Sequence, residues 1–149
     1  MSINTFLRVT SAYLIFDAVL VSFFPQFLDE VYGANTAHLN ATLANPIGNF
    51  MARFCTYYVF ALATICGYAA TFGTPKDKVK VCRGLTMAFG GLWYHFLIEL
   101  TDGKLGMMDS PKHEWIAFIL SSVFLAGALF FSFSNGGASE PVAKGKKGK

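Results

Sequence analysis

Residues 46–72 read PIGNFMARFCTYYVFALATICGYAATF, a run of 27 residues whose single charge is Arg53. A bilayer's hydrocarbon core, about 30 Å thick, asks for about 20 apolar residues in a helix, and this run exceeds that length. Asn45-Pro46 in front of it is a helix start, because proline is tolerated in a first turn where its missing N–H is not needed. Three further stretches behave alike: residues 5–24, 81–100 and 115–133. None shows the strict period-2 alternation of a barrel strand, and helices satisfy every backbone N–H and C=O within lipid. The sequence therefore predicts an all-α, four-helix transmembrane bundle over residues 1–135, followed by a disordered basic tail, residues 136–149.

Composition agrees. The chain has 149 residues, 54% hydrophobic and 14% charged, where soluble domains carry about 25% charge. The first span is N-terminal and could be a secretory signal, but Asp17 lies inside it and no small-residue cleavage site precedes Pro25, so it is expected to be retained. No Arg/Ser-rich amphipathic presequence opens the chain either.

The net charge is +3, and its placement orients the bundle. The first loop holds Asp29 and Glu30 without Lys or Arg. The second holds Lys76, Lys78 and Lys80, the third Lys104 and Lys112, and the tail Lys144, Lys146, Lys147 and Lys149. Cytoplasmic loops carry the excess of Lys and Arg, so both termini are expected on the cytosolic side. Asn40-Ala41-Thr42, a glycosylation sequon, then falls in the first, luminal loop. The second loop, residues 73–80, reads as a tight polar turn that makes the second and third spans antiparallel neighbours. Small residues along the spans, among them Gly67, Gly84, Gly90 and Gly91, suit close helix packing.

Ionisable groups at membrane depth are costly and point to function by default. This chain has Asp17, Arg53, His95 and Glu99. His95 and Glu99 are four apart and share a helix face. With the orientation above, all four fall in one luminal layer, Arg53 facing Asp17 or Glu99. Such a set is either an ion-pair cluster that fixes helix register or a site for a partner or lipid. His95 with Glu99 could perform acid–base work in a sterol-type isomerase. No phosphate-binding loop, dinucleotide fingerprint or metal motif occurs, and Cys55, Cys66 and Cys82 lack ligand spacing. No cofactor, metal or nucleic acid is implied; His95 alone as a ligand for a porphyrin is the one remaining possibility of that kind.

The segment Tyr94-His95-Phe96-Leu97-Ile98-Glu99 resembles the His-Phe-Leu-x-Glu signature of the ergosterol biosynthetic protein 28 family. Leu7-Arg8, Val31-Tyr32 and Ala52-Arg53 extend the similarity, as do the length and the four spans. After Arg53 the chain departs from the family's Thr-Phe-Gly and Trp, having Phe54-Cys55-Thr56-Tyr57-Tyr58. The resemblance implies a non-catalytic endoplasmic-reticulum scaffold that tethers the enzymes of sterol C-4 demethylation. Lys146 and Lys147, fourth and third from the end, match a dilysine retrieval signal on the cytosolic side; a plain basic tail near anionic lipid is the other reading. Two alternatives stand beside the scaffold: an accessory subunit of a respiratory or photosynthetic complex in a mitochondrial or plastid membrane, and a small lipid-binding protein or isomerase using His95 and Glu99.

Overall fold

The computed structural model describes residues 1–23, 41, 43–102 and 111–133, with the side chains of Glu99, Asp102, 111–114 and Ala117 excepted. Asn40, Val31-Tyr32 and the tail with Lys146 and Lys147 lie outside the described residues. Within them the chain is helical, with four long helices and no strand: α1 (Ile3–Phe23), α2 (Pro46–Phe72), α3 (Pro75–Asp102) and α4 (Pro111–Phe133).

Local chemistry sets the helix ends. Ser2 opens α1, its hydroxyl accepting from the Thr5 amide at 3.1 Å. Asn45 caps α2 by accepting from the amides of Ile47 (2.9 Å) and Gly48 (3.4 Å), with Pro46 in the first turn. Gly73 closes α2, its N–H donating to the Ala69 carbonyl at 3.0 Å. The polar stretch 73–80, expected as a loop, shrinks to Gly73 and Thr74. The reason is a reciprocal cap: Asp77 Oδ2 accepts from the Thr74 amide (3.1 Å) and hydroxyl (2.6 Å), while the Asp77 amide donates back to Thr74 Oγ1 (3.3 Å). Pro75, pre-set for the first turn, starts α3 six residues earlier than the apolar run suggests.

The helices associate as two pairs. α1 packs along α2, and α3 along α4, whereas α2 and α3 meet over a short stretch. The tight turn thus joins two pairs and does not lay the second and third helices side by side, which corrects the expectation from loop length. One core nevertheless unites all four: Phe6, Leu7 and Leu14 of α1, Ala63, Cys66, Ala69 and Ala70 of α2, Cys82, Leu85 and Phe89 of α3, and Phe124, Ala128 and Phe131 of α4. Alanines and cysteine on α2 let α1 approach closely. Tyr13 stacks on Phe124 with centroids 4.7 Å apart, and Phe124 on Phe89 at 5.2 Å, so three rings tie α1, α4 and α3 at one height. Phe6 meets Phe131 at 5.3 Å and leans over Gly127, where a Cβ would come within 2.5 Å of its ring.

Hydroxyls fix the pairs further. Ser11 Oγ donates to the Ala63 carbonyl at 2.8 Å between α1 and α2. Between α3 and α4, Thr86 and Ser132 share a bond of 3.1 Å, and Trp93 Nε1 donates to Ser122 Oγ at 3.0 Å. Most remaining hydroxyls, such as Thr56 on Ala52 and Thr64 on Phe60, return to the carbonyl one turn back, which hides their polarity inside the helix.

By length and composition, α1 and α2 are apolar enough to cross a membrane; the apolar part of α4, Phe118–Phe133, is shorter. The reason α3 does not qualify is visible in its sequence. Lys76, Lys78, Lys80 and Arg83 occupy its first turns, and Glu99 and Asp102 its last.

Candidate functional site

The ionisable residues singled out from the sequence occupy one half of the bundle, away from the Gly73 turn. Ser11 faces Ala63, so Asp17 lies level with about Tyr57, and Arg53 about 6 Å further toward the start of α2. Measured along the helices from the Tyr13–Phe124–Phe89 stack, Asp17 and His95 stand about 6 and 9 Å away, Arg53 about 12 Å and the Glu99 backbone about 15 Å. The four are spread over nearly two helical turns, not gathered in a single layer.

Their environments differ as well. Asp17 is half-buried on α1. Arg53 is exposed, and its Nε donates to Asn49 Oδ1 one turn earlier at 2.8 Å. Asn49 is itself held, its Nδ2 donating to the Leu43 carbonyl at 3.3 Å. His95 is exposed on α3, with the ring of Tyr94 as neighbour at 6.3 Å. The structure therefore buries neither Arg53 nor His95 within the chain.

Arg53 lines a cavity of about 470 Å³ between the last turn of α1 and the first half of α2. Val21, Ser22 and Phe23 form one wall, and Asn49, Ala52, Thr56, Tyr57 and Phe60 the other, with Leu43 at the edge. It offers hydrogen-bond donors from Arg53, Ser22 and Tyr57, apolar surface from Val21, Phe23 and Phe60, and no carboxylate among its described lining residues. His95 is not part of it. A second cavity, about 590 Å³, lies by the Gly73 turn against Thr64, Tyr68, Phe72, Asp77 and Val81. There the Asp77 carboxyl sits below its ordinary pKa, chiefly because the Thr74 hydroxyl and amide donate to it, with Lys80 adding a smaller effect.

The exterior of α2 was not legible as a surface from the sequence. Phe50, Phe54, Tyr57, Tyr58, Ile65, Tyr68 and Phe72 are all exposed. Phe50, Phe54 and Tyr58 form a ladder with centroids 5.8 and 4.7 Å apart. Their spacing at four residues was the available signal. On α3, Gly84 and Gly91 also face open space, unlike Gly67 and Gly127, which receive Ser11 and Phe6. Cys66 and Cys82 are buried, Cys55 is exposed, and among the described residues no three His, Cys, Asp or Glu side chains could hold a metal. Comparison of the chain with protein-family models, with curated proteins and with solved structures gives no match.

Proposed function

We propose that the chain is a multi-pass membrane protein that works without chemistry of its own, as a scaffold holding membrane-embedded partners. The observation that carries this reading is the character of α2. Its most apolar 18-residue window has a mean hydropathy of 1.4, yet 17% of that window is buried in the chain. The core helix of a soluble protein is apolar because it is covered; α2 is apolar and uncovered. An exposed apolar surface of that extent marks a membrane or protein contact.

In this reading all four helices cross the bilayer. The uncharged part of α3, from Gly84 to Ile98, spans about 22 Å, and the long side chain of Arg83 at its start can extend toward the headgroups. Arg8 on α1 shares the Gly73 end of the bundle with Lys76, Lys78, Lys80 and Arg83, which supports that end, and both termini, facing the cytosol. A mobility shift of the full chain in microsomes, abolished by Asn40→Gln, is the expected sign that the first loop is luminal.

The partner class follows from the resemblance at Tyr94–Glu99: enzymes of sterol C-4 demethylation in the endoplasmic reticulum. The outward position of His95 suits contact with a partner better than catalysis, since it lines neither described cavity. Purification of the tagged chain in mild detergent should recover those enzymes. Recovery of a respiratory or photosynthetic assembly would replace the sterol assignment with the accessory-subunit reading, and sterol turnover by the isolated chain would refute the non-catalytic one.

A further inference from the structure

We propose that the cavity at the α1–α2 end binds the phosphate of an anionic phospholipid, with Arg53 as its principal contact. This rests on the membrane reading above and is independent of the scaffold role.

The guanidinium is arranged for such a ligand. Asn49 takes the Nε–H at 2.8 Å and is fixed in turn by Leu43, which sets the plane of the group. The two terminal nitrogens carry the other four N–H donors. No carboxylate lines the cavity among the described residues, so nothing in that wall competes for them. Two parallel N–H···O bonds to a phosphate are the contact that guanidinium geometry favours. Ser22 and Tyr57 line the same space and bring two hydroxyls to the remaining phosphate oxygens. Val21, Phe23 and Phe60 supply apolar wall beside them, where a glycerol backbone and the start of an acyl chain fit. The volume, about 470 Å³, lies within the range of small-molecule sites.

Depth gives an independent reason. Arg53 is seven residues into α2, about 10 Å from its start. A cation there is within reach of the headgroup level but not free in water, and an anionic headgroup descending to it offsets the cost of holding the charge at that depth. A zwitterionic lipid brings its own cation and gains less. The cavity should therefore select by headgroup charge.

The test uses the full chain in nanodiscs of phosphatidylcholine containing a minority of phosphatidylglycerol, with the lipids that stay bound on release identified by native mass spectrometry. The wild type should retain phosphatidylglycerol over phosphatidylcholine by about tenfold, the effect of a charge-assisted bidentate contact. Arg53→Gln should bring the two lipids near parity, and Tyr57→Phe, an exposed position that keeps its ring, should lower retention of phosphatidylglycerol about threefold through one lost hydrogen bond to the phosphate. Arg8→Gln, a cation at the opposite end of α1, should leave the preference intact. Equal retention of both lipids by the wild type, an unchanged preference in a folded Arg53→Gln, or equal loss in Arg8→Gln would each overturn the proposal. Displacement of the lipid by millimolar inorganic phosphate would also overturn it, since the site would then serve a free anion. Failure of the chain to enter nanodiscs at all would count against the membrane reading itself, so the two failures are distinguishable.

Discussion

Replacing Gly127 by alanine should loosen the contact that ties the two helix pairs together. An ideal Cβ at this position lies 2.5 Å from Phe6 Cε2, 3.1 Å from Cδ2 and 3.2 Å from Cζ. The ring has little room to retreat, because Phe6 is 3% exposed and packs against Phe131. Overfilling a packed site costs about 1–3 kcal/mol. Against it stands the helix preference of alanine over glycine, about 1 kcal/mol in the other direction. The clash wins, leaving a net loss of up to about 2 kcal/mol. Gly84→Ala is the comparison, since nothing lies within 4 Å of its added Cβ; there the helix preference acts alone and gives a gain of up to about 1 kcal/mol. Unfolding of the full chain by titration with sodium dodecyl sulfate in mixed micelles, followed by circular dichroism, measures both. Phe6→Leu placed on Gly127→Ala should restore part of the loss, giving a coupling the single variants do not sum to. Midpoints that move in the same direction for Gly127→Ala and Gly84→Ala, or a strictly additive double variant, would refute the close approach of α1 to α4.

Ser11→Ala removes the bond to the Ala63 carbonyl and should cost about 0.6 kcal/mol in the same titration, the usual value for an interhelical bond in a membrane protein. Ser122→Ala leaves the Trp93 indole N–H without its partner and should destabilise by about 1 kcal/mol, with a shift in tryptophan emission reporting the changed contact. The Asp77 cap should be pH-sensitive: its folded pKa lies below the ordinary value, so its contribution is complete above the unfolded pKa of about 4 and is lost as pH falls through the folded one. Hydrogen exchange at the first amides of α3 should accelerate in that acid range, and Asp77→Asn should abolish the dependence.

Much of the helical architecture could be read from charge. Long runs with very few Asp, Glu, Lys or Arg residues located the helices, and Asn45-Pro46 marked where α2 begins. The start of α3 was also encoded, in Thr74-x-x-Asp77 with Pro75 between them, but the lysines around it read as a loop because a polar run looks the same in a turn and in a capped first turn. Which helices pair was not legible. In a chain that is apolar on all sides no hydrophobic stripe distinguishes inside from outside, so the pairing depends on matches such as Ser11 with Ala63 and Gly127 with Phe6, whose partners lie 52 and 121 residues away. For the candidate site, charge alone found Arg53, and Asn49 at four residues' distance was a readable partner. That His95 points outward depends on the rotation of α3 against α4, set by Trp93 with Ser122 and Thr86 with Ser132.

The division into two pairs has a bearing on how the chain reaches its place. Translation yields α1 and α2 first, and these are the two helices among the described residues that are long and apolar enough to cross a membrane. α3, with four basic residues in its opening turns, follows after a turn of two residues, so in the membrane reading proposed above it would enter lipid with the first pair already in place. In that reading the order of translation would perform the sorting among helices that hydrophobicity cannot.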